Sequence, residues 1–147
     1  MSIKETDIYT EERFAAMKLA VERHEGQKYG DKPYTEHIRQ TTHMLYRFGI
    51  QDVNLYIAAE LHDIVEDTDT TLEEVRERFG DRVAELVGAV TAPPGKRRER
   101  NKTVYEQINA VDSAIIVKLA DRIANVENAW KTWNSLLFMY HKEYRGF

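Results

Sequence analysis

Hydrophobic residues recur at helical spacing along nearly the whole chain, and no stretch alternates like a half-buried strand. Phe14, Met17 and Val21 fall at i, i+3 and i+7 behind Thr10, with Glu11 and Glu12 in the first turn. That pattern predicts a capped helix with those residues as its apolar stripe. A second helix is predicted over residues 35–48, stopped by Gly49. A third starts near Asp52, with Val53, Ile57, Leu61 and Ile64 on one side. Thr71-Leu72-Glu73-Glu74 is a capping box, followed by Leu72, Val75 and Phe79 in register and by Gly80 as a stop. Asp81 is expected to cap a fifth helix carrying Val83, Leu86, Val87 and Val90, broken by Pro93-Pro94-Gly95. A helix should resume near Asn101 and reach Asn109. Asp112 should then cap a long helix to about Trp130, and Asn134 a last one ending at Gly146. The expected fold class is all-α: a compact bundle of about seven or eight helices with short loops and no strands.

Composition narrows this further. At 147 residues the chain has the size of one domain, expected to span residues 1–147, and can bury a core without covalent staples. It has no Cys, which excludes disulfides, thiolate zinc sites and iron–sulfur clusters. A net charge of −4 argues against nucleic acid as a partner but leaves room for a small phosphorylated ligand held by a few local cations. The first seven residues carry no apolar core of a signal peptide, and the longest apolar run, Leu136 to Tyr140, is far too short to cross a membrane. A soluble, cytoplasmic protein is expected.

Three features carry candidate chemistry. On a wheel, the helix after Asp112 shows Ile115, Leu119, Ile123, Val126 and Trp130 as one apolar stripe, and Ala114, Val117, Ala120 and Ala124 cover most of the remainder. Lys118, Asp121, Arg122 and Asn125 form a narrow polar stripe, as on a central helix that lines a cavity or buries an ion-pair network. In His62-Asp63-Ile64-Val65-Glu66-Asp67, a continuing helix would crowd four ionisable groups into an arc about 140° wide, where the carboxylates repel unless a cation compensates. The alternative is a solvated amphipathic face. His37 follows Lys32-Pro33-Tyr34-Thr35-Glu36; alone it reads as structural, as do His24, His43 and His141. Together, His37, His62, Asp63 and Asp121 offer two imidazole nitrogens and two carboxylates. Such a set suits manganese, iron or zinc better than magnesium.

His37, His62-Asp63 and Asp121 resemble the metal-ligand pattern of the HD-domain phosphohydrolases. The stretch His62-Asp63-Ile64-Val65-Glu66-Asp67-Thr68 resembles the HD-x-x-ED-T motif of the RelA/SpoT-type alarmone hydrolases. Thr71 to Thr91, Val117-Lys118-Leu119-Ala120-Asp121-Arg122-Ile123-Ala124-Asn125 and Met139 to Tyr144 are similar to the same family, so the likeness covers most of residues 12–147. With no length left for a synthetase or regulatory domain, the chain is similar to the stand-alone small alarmone hydrolases, the metazoan SpoT homologue among them.

The resemblance implies manganese-dependent removal of the 3′-pyrophosphate from (p)ppGpp, giving GDP or GTP and pyrophosphate. It makes His37, His62, Asp63 and Asp121 the metal ligands, and Glu66 and Asp67 the pair that orients water and handles protons. Arg122 and Lys118 would support Asp121. Asn125 would reach ribose or phosphate, and Lys96 and Arg98 would hold the polyphosphate from a mobile basic loop over residues 96–102. Lys28 and Tyr29 stand where many members have two adjacent basic residues, and Glu127 and Asn128 where they often have Arg and Thr. A Tyr can stack on a base but cannot clamp phosphate as Arg does. Other expectations are an HD phosphohydrolase acting on an adenine alarmone or the 2′-phosphate of NADPH, and a non-catalytic alarmone-binding module. The complete acid–base set argues against the last.

Overall fold

Local chemistry sets most helix ends in the computed structural model, which describes residues 8–145. Thr10 accepts from the Arg13 backbone N–H and opens α1 (Glu11–Arg23). A two-residue antiparallel ladder follows, β1 (Lys28–Tyr29) on β2 (Lys32–Pro33). It departs from the strand-free expectation, because Gly30 at φ 63° turns the chain tightly enough for Lys28 and Tyr29 to pair back. Then come α2 (Thr35–Arg47), α3 (Val53–Leu61), α4 (Ile64–Asp67), α5 (Leu72–Val90), α6 (Arg97–Ala110), α7 (Ala114–Thr132) and α8 (Leu136–Glu143). Asp52 caps α3 and Thr71 caps α5 through their side chains. Gly80, at φ 86° and ψ 170°, ends one helix where the sequence placed a stop, and a second begins at once, the two together forming the kinked α5.

Other boundaries differ. The third helix does not run through His62-Asp63; it stops there, with Asp63 at φ −103° and ψ 0°, and a single turn, α4, restarts it. The basic run is not a loop: α6 starts at Arg97, four residues before Asn101, since Arg97 is tied to Glu143 and Arg100 to Glu66 by long-range ion pairs. Ser113, at φ 63°, holds the cap position of α7 in place of Asp112. Ser135 holds the cap position of α8 in place of Asn134, whose side chain accepts from the Leu136 N–H. α8 ends at Glu143, short of the expected end at Gly146, which, with the reading of Met1 to Asp7, lies outside the described residues.

The core is centred on α3, where every residue from Leu55 to Leu61 is buried. α3 packs against α1, α2 and α5, and α7 lies chiefly against α2. Much of the two apolar stripes read from sequence lies at the surface, although Ile123 packs against the core. Phe14, Met17 and Val21 are exposed while Ala16, Leu19 and Ala20 carry the buried face of α1. Ile115, Leu119 and Trp130 are exposed while Ala114, Val117, Ala120, Asp121, Ala124 and Ala129 are buried on α7. Small side chains let a helix approach its neighbours closely, so the alanine faces were preferred over the bulky ones. Glu60 sits inside the core on α3; Arg13 reaches it at 2.8 Å and lies over the rings of Tyr9 and Tyr56. Burial pushes the Glu60 carboxyl up to about 7, against the opposing pull of Arg13. Among the described residues no helix is long and apolar enough to cross a membrane.

Candidate functional site

Three parts of the chain converge on one point: His37 from the first turn of α2, His62 and Asp63 from the break between α3 and α4, and Asp121 from the buried face of α7. The break matters, because a helix residue and its neighbour diverge by about 100°, whereas the non-helical Asp63 turns its carboxylate back beside His62. His37 Nε2 lies 3.1 Å from His62 Nε2 and 3.2 Å from Asp121 Oδ1; His62 Nε2 lies 3.1 Å from Asp63 Oδ2 and 3.6 Å from Asp121 Oδ1. His37 Nε2 to Asp63 Oδ2 is 3.9 Å. Donors bound near 2.1 Å to one ion lie roughly 3.0 Å apart in an octahedral set and roughly 3.4 Å in a tetrahedral one. The spacing therefore suits a single divalent cation held by nitrogen and oxygen.

The protonation pattern agrees. His62 Nδ1 is 2.7 Å from the Ala59 carbonyl oxygen; as the donor there, it leaves Nε2 with its lone pair toward the cluster. Two imidazole nitrogens facing each other at this distance need a proton or a cation between them. Burial opposes charge on His62, yet the Asp63 and Asp121 carboxylates hold its imidazole well above the usual range. Burial likewise opposes charge on Asp121, but Lys118 and the two histidines hold it well below the ordinary carboxylate range. Positive charge is what this cluster lacks.

The surroundings orient these groups. Lys118 Nζ donates to Asp121 Oδ2 at 2.9 Å, and Asn125 Nδ2 donates to Oδ1 at 2.6 Å. Tyr29 donates its hydroxyl to Asn125 Oδ1 at 2.8 Å and sets its ring 4.7 Å from that of His37. Tyr34, which the sequence reading passed over, donates to Asp63 Oδ2 and stacks on His24. Its spacing of three residues before His37, at a helix start, was the one available signal. His24 itself is structural, with Nδ1 2.7 Å from Gln27 Oε1.

Glu66 and Asp67, side by side on α4, differ. Glu66 Oε1 accepts from the Ala92 N–H at 2.5 Å, and Oε2 accepts from Arg100 Nη2 at 2.7 Å. Asp67 is exposed, and its carboxylate has no hydrogen-bond partner among the described residues. Burial, then the nearby Asp63 charge, raise both carboxyls above their ordinary values; the Ala92 N–H and Arg100 pull Glu66 partly back. A cavity of about 630 Å³ opens beside the pair, lined among others by Thr91, Ala92, Arg100 and Gln107.

Several expected residues stand elsewhere. Lys96 and Arg98 are exposed and do not line that cavity; Arg98 borders a separate groove between α6 and α8. Arg122 bonds Glu143 at 2.7 Å and lies over the ring of Tyr140, so the cation on Asp121 is Lys118. Asn125 is engaged with Asp121 and Tyr29 rather than turned out toward a ligand. Lys28 is exposed on β1.

A mostly helical bundle that brings two histidines and two aspartates together at this spacing is the arrangement expected of an HD domain. The chain belongs to the HD-domain family, whose profile matches residues 16–135. Among proteins it is similar to, a guanosine-3′,5′-bis(diphosphate) 3′-pyrophosphohydrolase of Aquifex aeolicus is 40% identical over 83% of this chain and 18% of its own length. The proteins of the same activity called MESH1 in Danio rerio and Homo sapiens are each 38% identical, over 76% and 77% of this chain. The chain spans 66% of the length of each of those two. In three dimensions it is similar to a metazoan orthologue of SpoT that hydrolyses ppGpp and plays a role in starvation responses. The TM-score is 0.76 and the identity 29%, over 83% of this chain and 72% of that one.

Proposed function

We propose that this chain is a manganese-dependent hydrolase that removes the 3′-pyrophosphate of (p)ppGpp, giving GDP or GTP and pyrophosphate, and that it works in the cytoplasm on a small nucleotide rather than on nucleic acid. The observation that carries the reading is the convergence of His37, His62, Asp63 and Asp121 beside the Glu66–Asp67 pair. The similarity to named pyrophosphohydrolases supplies the substrate class. Two imidazoles with two carboxylates favour manganese over magnesium, which seldom takes imidazole.

His37, His62, Asp63 and Asp121 would hold the ion. Bound there, a divalent cation lowers the pKa of water and polarises a phosphoryl oxygen. The remaining work falls to the chain. The reaction joins a water oxygen to the phosphorus on the 3′-oxygen, breaks that P–O bond and returns a proton to the 3′-oxygen. Glu66 accepts hydrogen bonds at both oxygens, so it is held as an anion able to take the proton of the attacking water. Asp67, exposed and uncommitted, is placed to carry a proton toward the leaving oxygen. Lys118 and Asn125 fix Asp121, and the Tyr29 ring offers a purine a face to stack on.

The test is a panel of ppGpp, pppGpp, ppApp and NADPH with purified protein and manganese, the products resolved by chromatography. Release of pyrophosphate with GDP from ppGpp and GTP from pppGpp is expected. Release of phosphate from NADPH with both guanine alarmones untouched, or no turnover of any of the four, would reject the assignment.

A further inference from the structure

Glu66 is gripped from two directions, and both lead back to one face of α6. Arg100 Nη2 meets Oε2 directly at 2.7 Å. The opposite oxygen takes the backbone N–H of Ala92, which follows the last turn of α5. Here the Thr91 N–H reaches only the carbonyls of Val87 and Gly88, and the last carbonyls of a helix otherwise lack a partner within it. Gln107 Nε2 supplies one, lying 3.1 Å from Gly88 O, 3.2 Å from Ala89 O and 3.0 Å from Thr91 O. Arg100 and Gln107 stand seven residues apart on α6, so they project within about 20° of each other. One helix face thus holds the carboxylate and also the turn that presents its second donor.

Anchoring α6 does not require Arg100, since Arg97 already ties the helix to Glu143 on α8 at 2.6 and 3.2 Å. Nor does Arg100 make the two-bond pair that would stabilise most: its Nε is buried without an acceptor, because Glu66 gives its other oxygen to Ala92. An arrangement that leaves a buried donor unmatched in order to fix the carboxylate in one orientation points to function. We propose that Arg100 is a positioning residue for Glu66, and that Gln107 positions the Ala92 N–H that completes the grip. The proposal rests on the reading of Glu66 as the proton acceptor of the hydrolase.

The test compares Arg100→Gln, Arg100→Lys and Gln107→Leu with the parent in manganese-loaded protein, alone and in a Glu66→Gln background. Arg100→Gln should lower kcat for ppGpp by about 10- to 100-fold, the usual effect of losing a group that orients a reacting one, with KM and metal content little changed. Arg100→Lys should recover most of the loss, and Gln107→Leu should fall in the same direction by less. In the Glu66→Gln background Arg100→Gln should cost nothing more, because the residue it acts through is already gone. A loss that persists there, or one confined to KM, would make Arg100 a substrate contact and overturn the proposal. A second measurement needs no turnover: the carboxyl carbon of Glu66 is titrated by NMR in the parent and in Arg100→Gln. Its midpoint should rise when the guanidinium is removed, with Asp63 and Lys118 acting on it in both proteins; an unchanged midpoint overturns the grip. If ppGpp is not hydrolysed yet the midpoint moves, the substrate assignment fails and the grip stands.

Discussion

The two acidic neighbours on α4 differ in what surrounds them, and that difference decides how each should respond to substitution. Glu66→Gln keeps the shape but loses the charge that Arg100 and Ala92 hold, and Asp67→Asn removes the charge of an exposed carboxylate, the proton carrier of the proposed mechanism. Each should lower kcat by about 10²-fold or more while metal content, measured by elemental analysis, is retained. The pH profile should show the same chemistry. Burial and then Asp63 raise Glu66, more than Ala92 and Arg100 lower it. A base must be deprotonated to act, so kcat/KM should fall as pH falls through a limb lying above the ordinary carboxylate range. In Glu66→Gln that limb should disappear. Tyr29 makes a separate case. Its ring and its hydroxyl do different things, so Tyr29→Ala should weaken apparent binding of guanine and adenine alarmones alike by about 1–3 kcal/mol, the usual worth of one base–aromatic contact. Tyr29→Phe should keep that binding and loosen the metal, because Asn125 loses the donor that steadies it against Asp121. Both variants lose the hydroxyl and should bind manganese more weakly in a titration, and nucleotide binding, weakened only in Tyr29→Ala, separates the two.

At the scale of elements, Gly80 carries the clearest stability prediction. Its backbone lies where a side chain is rarely tolerated, at φ 86° and ψ 170°, and an added Cβ would meet nothing within 4 Å. Gly80→Ala should therefore destabilise by about 1–3 kcal/mol through backbone strain alone, read as a lowered denaturation midpoint with activity per folded molecule unchanged. Elements also show what the sequence could and could not convey. Thr10, Thr71, Asn134, Gly49 and the Pro93-Pro94-Gly95 stop act within a few residues, so their effects are legible from order alone. Periodicity announces an amphipathic helix but not which neighbour it meets. Hence the stripes headed by Phe14 and Ile115 are legible as stripes, whereas the burial of Ala16 and Ala120 in their place is not. The start of α6 was missed because Arg97 and Arg100 find their partners 46 and 34 residues away. The four candidate ligands were legible through a family pattern; the grip on Glu66 and the Tyr34 bond to Asp63 were not, since both depend on long-range folding.

The whole molecule should feel the ion as well as use it. Its four candidate ligands come from α2, the α3–α4 break and α7, so a bound cation joins the elements around the core. Anything that binds the native state alone stabilises it, by about 2.7 kcal/mol at a hundred times its dissociation constant. Chelation should therefore lower the melting temperature of the parent and manganese should restore it. Asp121→Ala should melt at nearly the same temperature with chelator or manganese, and should have lost hydrolysis. A parent protein indifferent to chelation would show that the cluster binds no ion of consequence.

The exposed Pro93-Pro94-Gly95 segment separates Asp63 from Asp121 along the chain. A protease cut there would leave His37, His62 and Asp63 on one fragment and Asp121, with Arg100, on the other. The ion would then be shared between two polypeptides, acting as a removable rivet. Supply of a divalent ion would decide whether a nicked copy survives as a working pair or falls apart into halves, neither of which carries a complete donor set.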